Sequence, residues 1–171
     1  MKFKALLFLL FMTSSFLYAE KITLEPGKTL SSEQIQKMIS STKKADKLHK
    51  ASVQGAIDEM KRLLGYPPVP VNAVDEYKRT PLHWAVMAGK YKAAKFLIKH
   101  GAAIDRQDDE GKAALHYAVI ANESKIAKML INKKAVINVS DNKGLCPLDY
   151  IKTSEMADIF YKDVSKHSEE E

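Results

Sequence analysis

Between residues 91 and 100, apolar and charged side chains recur with the period of an α-helix. Ala94, Leu97 and Ile98 fall on one face, and Lys92, Lys95 and Lys99 on the other. Just upstream, Thr80 is placed to cap a helix whose first position is Pro81, where the missing N–H is no loss. That helix is expected to run to about Ala88 and to stop at Gly89, a residue at ease in the left-handed conformation. The second helix, Tyr91 to His100, ends at Gly101, and Ala102 to Gln107 read as an extended connector. A unit this short cannot bury its apolar face alone, so the pattern predicts stacking against further units of the same kind.

Those further units are present at a fixed period of 33 residues. Asp75, Asp108 and Asp141 keep that spacing, as do Leu82, Leu115 and Leu148. So do Trp84, Tyr117 and Tyr150, and Ala102 with Ala135; His83 and His116 match, with Asp149 at the third place. Several registers agreeing at one period is the signature of a repeat array.

Thr80-Pro81-Leu82-His83-Trp84-Ala85 resembles the T-P-L-H-x-A motif of ankyrin repeats. Ala113 to Ala118 and Cys146 to Tyr150 are weaker copies, and Leu48-His49-Lys50-Ala51 opens a divergent earlier one. Its extra residue is expected in the Pro67-Pro68-Val69-Pro70 loop. The resemblance covers residues 46–162, divided 46–74, 75–107, 108–140 and 141–162, and implies an all-α solenoid of four helix–turn–helix repeats with hairpin loops. Some positions depart from the pattern. Lys78 stands where the later copies have Gly111 and Gly144, Asn122 replaces Gly89, and Lys134 replaces Gly101. Ala113 replaces Thr80 and forfeits a cap worth about 1 kcal/mol.

At the ends, Ser31 with Gln34 reads as a capping box opening a helix to Ile39, within an N-terminal lead of residues 20–45. Asp46 is expected to cap the first copy. The last helix is expected over Glu155 to Tyr161, followed by a polar segment from Lys162 and an acidic tail over 163–171.

Residues 1–19 change the picture of where the array works. Lys2 and Lys4 precede the short apolar run Ala5 to Met12, and Ala19 suits the position before a cleavage; this is the pattern of a secretory signal. Its short, lysine-headed form resembles a bacterial one, so a periplasmic or secreted protein is expected. Losing residues 1–19 leaves 25 basic and 21 acidic residues, a charge of +4, too small to argue for nucleic acid. The lone Cys146 cannot make an internal disulfide, and a chain of this length can build a core without one.

Candidate chemistry has a simpler structural reading at each place. His49, His83 and His116 lie one repeat apart, whereas metal ligands must converge on one point. The ankyrin resemblance implies instead that the His83 ring bonds backbone and the Thr80 hydroxyl. Trp84, Tyr117 and Tyr150 read either as a stacking ladder for a ligand or as packing between repeats. Cys146 stands at the cap register with Asp149, not histidine, beside it, and reads as a small structural residue. The lysine sets Lys43, Lys44, Lys47, Lys50 and Lys90, Lys92, Lys95, Lys99 read as solvated faces, or as contacts to an anionic surface or acidic partner. No nucleophile elbow, phosphate loop, H-E-x-x-H or paired zinc cysteines occur. No catalysis, cofactor or metal is expected.

A monomer is expected, and the resemblance implies that it binds a protein partner through hairpin tips and the inner faces of the first helices. By register these are Glu76, Tyr77, Arg79, Met87 and Ala88; Asp109, Glu110, Lys112, Ile120 and Ala121; Asn142, Lys143 and Leu145; and, from copy one, Val53 and Gln54. Val53, Met87 and Ile120 share one helical register, an apolar stripe with charged flanks, the anatomy of an interface. Packing on the next repeat is the competing role for Met87 and Ile120. An inhibitor acting in the periplasm, an effector acting on a host protein and a membrane-tethered scaffold all fit this pattern.

Overall fold

The computed structural model describes residues 45–65 and 68–167, with side chains through Tyr161. The leader and the helix expected from Ser31 to Ile39 lie outside the described residues. Seven α-helices and one 3-10 turn make up the architecture there. They are α1 (45–54), α2 (Ile57–Leu64), α3 (Pro81–Met87), α4 (Tyr91–Lys99), α5 (Ala114–Ile120), α6 (Ser124–Asn132), the 3-10 turn Pro147–Tyr150, and α7 (Ser154–His167).

The order is a stack of antiparallel helix pairs. Within a repeat, α3 packs on α4 and α5 on α6; between repeats, α3 meets α5 and α4 meets α6, with α2 and α7 on either side of the second-helix layer. The core is one continuous row through the stack: Leu48, Met60, Leu82, Leu97, Leu115, Ile126, Leu130, Met156 and Phe160 are each at most 1% exposed. Small residues make the close approaches, with Ala85, Ala94, Ala118 and Ala127 fully covered. Each fully buried large aliphatic residue contributes about 1.5–3 kcal/mol, and they belong to one core that spans the packed helices of neighbouring repeats, so the stack holds together as a whole.

Local signals explain most of the boundaries. Thr80 is extended, and its side chain accepts from the His83 N–H, with Pro81 opening α3; Ala88 closes it. Ala113 makes no side-chain cap on α5. Three expectations fail. Residues 45 and 46 are already helical, so Asp46 lies inside α1 and does not cap it. Copy four opens with a single 3-10 turn, because the chain is extended again at Ile151; Leu148 is 38% exposed there, while Leu82 and Leu115 at the same register are 1% exposed. The last helix runs fourteen residues to His167, well past Tyr161 and into the stretch read as tail. Once Met156 and Phe160 are buried, polar residues propagate an existing helix at little cost.

The backbone keeps the glycine conformation even where glycine has been replaced. Lys78, Asn122 and Lys134 have φ of 58°, 55° and 64°, against 75° at Gly111, 65° at Gly89 and 86° at Gly101. The left-handed region costs an ordinary residue about 1–2 kcal/mol, so both lysines hold strain imposed by the stack. Lys134→Gly is therefore expected to stabilise the protein by about 1 kcal/mol, a rise of about 2–4 °C in Tm, with Lys134→Ala giving no gain. Thermal melts of the two variants beside the parent check this.

Candidate functional site

Each hairpin tip is organised by one aspartate. Asp75 Oδ1 accepts from the backbone N–H groups of Tyr77 and Arg79, both at 2.9 Å. Asp108 Oδ1 does the same for Glu110 and Lys112 at 2.9 and 3.0 Å, and Asp141 Oδ1 for Lys143 and Leu145 at 2.8 and 3.1 Å. The other carboxylate oxygen takes the polar hydrogen of the aromatic residue nine positions on: the Trp84 indole N–H at 3.0 Å, and the Tyr117 and Tyr150 hydroxyls. This is the role of the aromatic register. The ring ties a tip to the helical segment that opens its own repeat, and the two tyrosines also meet the histidine of the preceding repeat edge-on, with centroids 5.9 Å apart for His83–Tyr117 and 6.2 Å for His116–Tyr150. The pairing was open to view in the sequence, since aspartate and aromatic share both the 33-residue period and a constant offset.

These bonds tune the groups that make them. The Tyr150 hydroxyl, more than any other group, holds the Asp141 carboxyl down to about 2. Burial first, and then the Asp108 carboxylate, push the Tyr117 phenol far above its ordinary value.

Neighbouring tips are joined to one another. The Asp109 N–H donates to the Tyr77 carbonyl at 3.0 Å, and the Asn142 N–H to the Glu110 carbonyl at 3.0 Å. Asn142 Nδ2 adds a bond to the Asp109 carbonyl at 2.7 Å, and Lys78 pairs with Asp109. The tips thus form a laterally bonded row rather than separate loops.

Histidines fasten the helices beneath. His83 Nε2 faces the Lys112 carbonyl of the next repeat at 3.1 Å, so the proton belongs on Nε2 and Nδ1 accepts the Thr80 N–H at 3.0 Å. His116 repeats this with the Leu145 carbonyl at 3.3 Å and the Ala113 N–H at 3.1 Å. The ring therefore links two repeats, beyond the link within one repeat that the resemblance implied. His49 reaches the Ala73 carbonyl at 3.0 Å, but its buried Nδ1 has no partner among the described residues, because α1 is already helical where the later copies offer a free cap N–H. Asp149 Oδ2 accepts the Cys146 N–H at 2.7 Å, which keeps the cap half of the histidine's work. No group of three or more His, Cys, Asp or Glu among the described residues is arranged to hold a metal ion.

The expected contact residues separate into two sets on this frame. Glu76, Asp109, Glu110, Asn142 and Lys143 are exposed along the row of tips, together with Tyr77 at 53% and Leu145 at 38%. Met87, 36% exposed, lies with half-buried Ala88 on the uncovered face of α3; half-buried Ile120 and exposed Ala121 continue it on α5, and Val53 and Gln54 occupy that register on α1. Arg79 and Lys112 behave differently. The Arg79 guanidinium lies 4.4 Å from the Tyr77 ring and 4.2 Å from the Trp84 ring, with Nε on Asp75 at 2.9 Å. Lys112 is 7% exposed and its ammonium pairs with Glu110. Both cations shape the surface from within.

Comparison with known proteins bears on the same segment. The family model for ankyrin repeats matches residues 48–148 in three copies. The palmitoyltransferase akr1 of Schizosaccharomyces pombe is 40% identical over 55 residues, 32% of this chain and 9% of that protein. The ankyrin repeat-containing protein C6C3.08 of the same yeast is 38% identical over 68 residues, 36% of this chain and 29% of that protein. The palmitoyltransferase AKR1 of Gibberella zeae is 38% identical over 56 residues, 33% of this chain and 8% of that protein. The matched stretch is thus a small part of each relative.

Two expectations follow from the bonding. Asp108→Ala leaves two backbone N–H groups and a phenol without their acceptor and should cost about 2–3 kcal/mol in urea denaturation. The second concerns pH. Burial lowers the His49, His83 and His116 pKa values below the ordinary 6.5, so below that pH the unfolded chain binds more protons than the folded one. Stability is complete above pH 6.5 and falls as pH drops through the lowered values, by at most about 1.4 kcal/mol per pH unit for each ring. Denaturation midpoints between pH 8 and pH 5 measure that slope, and His83→Gln should reduce it. A flat profile would contradict the neutral-ring assignment.

Proposed function

The chain belongs to the ankyrin-repeat family and is built as a protein-binding module, and we propose that it engages its partner through the row of tips and the uncovered faces of α1, α3 and α5. The observation that carries this reading is Tyr77, half exposed on a tip whose backbone is already fixed by Asp75 and tied to the next tip. A tyrosine held in place offers a large contact area with little ordering entropy left to lose on binding. Met87 and Ile120 supply an apolar centre one repeat apart, and Glu76, Asp109, Glu110, Asn142 and Lys143 the polar rim. Leu145 and Ala121 extend the apolar part toward copy four, and Ala88 leaves room beside Met87. Arg79 and Lys112 support the reading by keeping Tyr77 and Glu110 in position.

The matches to the two palmitoyltransferases lie in the repeats and give no ground for transferase activity in this chain. The working site we propose is the periplasm or the secreted space, which rests on the Lys2, Lys4 and Ala5 to Met12 pattern.

Affinity capture with the full chain as bait, beside a variant carrying M87E, I120E and Y77A, tests the binding face. A protein retained by the first bait and lost by the second is expected; equal retention by both rules this face out. N-terminal sequencing of the protein purified from its source tests the compartment. A start at Glu20 is expected for export, and an intact Met1 in the membrane fraction points to a tethered scaffold instead.

A further inference from the structure

The second helices carry a surface of different character from the tips, charged with one sign only. The tips mix both signs, with Asp75, Glu76, Asp108, Asp109, Glu110 and Asp141 beside Lys78, Arg79, Lys112 and Lys143, whereas α4 and α6 contain no acidic residue. Lys92, Lys95 and Lys99 on α4, and Lys125, Lys128 and Lys133 on or just after α6, are all exposed. Among the described residues none of the six pairs with a carboxylate, although Lys61, Arg62, Lys78, Arg79 and Lys112 all do. A simple solvated face would be ordinary for such lysines. Four of the six also line a groove. Lys95 stands on one wall and Lys125, Lys128 and Lys133 on the other, with Tyr91 and Met129 giving apolar lining, in a space of about 710 Å3. Glu123, at the start of α6, sits against Gly89 and outside this lining.

We propose that the groove between α4 and α6 binds an extended acidic segment of another protein, with carboxylates on both sides of one apolar side chain. Two nine-residue helices offer a groove about 14 Å long, the span of about four extended residues. Carboxylates on alternate sides of such a strand meet the lysine walls, and a side chain between them reaches Tyr91, which is 39% exposed. The lining contains lysine and no arginine, so it offers point charges without the planar fork that favours phosphate. A lipid headgroup layer would meet the lysines and leave the apolar lining unfilled. This surface is distinct from the row of tips, and its occupancy does not depend on the tips binding anything.

The test is fluorescence polarisation of the full chain with a labelled synthetic peptide of Glu and Asp around a central Phe, at about 50 mM salt. The variant K95Q/K125Q/K128Q is expected to bind at least about tenfold more weakly than the parent, while the charge-matched K47Q/K50Q/K152Q keeps parental affinity. Tyr91→Ala should bind the Phe peptide no better than the parent binds a peptide with Ser in its place. Equal weakening in both triple variants overturns the proposal, because net charge alone then explains binding. So does absence of peptide binding by the parent, or binding of phosphatidylglycerol vesicles without the peptide. Circular dichroism melts confirm that each variant is folded.

Discussion

One neutral imidazole at each central repeat boundary holds two backbones at once. Nδ1 takes the cap N–H of its own first helix, and the proton on Nε2 is given to a carbonyl 29 residues ahead. At the His83 boundary both groups are buried, and each would cost about 1–3 kcal/mol if left unpaired. The ring therefore fixes the spacing and rotation between repeats, which apolar contact between helices specifies only loosely. The alignment of the core row, the edge-on contact with the following aromatic and the lateral bonding of the tips all follow from that spacing.

Above the rings, a lattice of charge-assisted hydrogen bonds converts loops into a rigid edge. A hairpin tip exposes backbone donors that would otherwise be left to water, and the aspartate at each tip collects two of them. Its second oxygen anchors the tip to a helix through Trp84, Tyr117 or Tyr150. The outcome is a pre-ordered row of tips, of mixed charge and partly apolar, and apart from it second helices whose exposed lysines have no carboxylate partner among the described residues. That division of charge is visible in the sequence only when the repeats are laid over one another.

Much of this was legible from residues alone, because the period, the caps and the stop residues agree with one another. Thr80, Pro81 and Gly89 mark the ends of α3 correctly, and the left-handed lysines were foreseeable from the glycines beside them in register. What sequence could not supply was direction. Arg79 and Lys112 look like free charges at a tip, yet one lies against two rings and the other is turned onto Glu110. Asp46 looks like a cap, yet its helix is already under way at that residue. The stretch after Tyr161 looks too polar for order, yet it continues a helix whose buried part lies upstream. In each case a side chain or segment answers to a neighbour that periodicity does not reveal.

The single tryptophan stands at an informative place in this arrangement. Its indole N–H is bonded to Asp75, the carboxylate that orders the first tip, and the Arg79 guanidinium lies 4.2 Å from its ring. A negative charge at one edge and a positive charge on the face set a strong field across the chromophore. Any event that loosens the tip or lifts the arginine changes that field, and the colour of the emitted light changes with it. The molecule thus carries an intrinsic optical gauge beside Tyr77, able to register contact there without an added label.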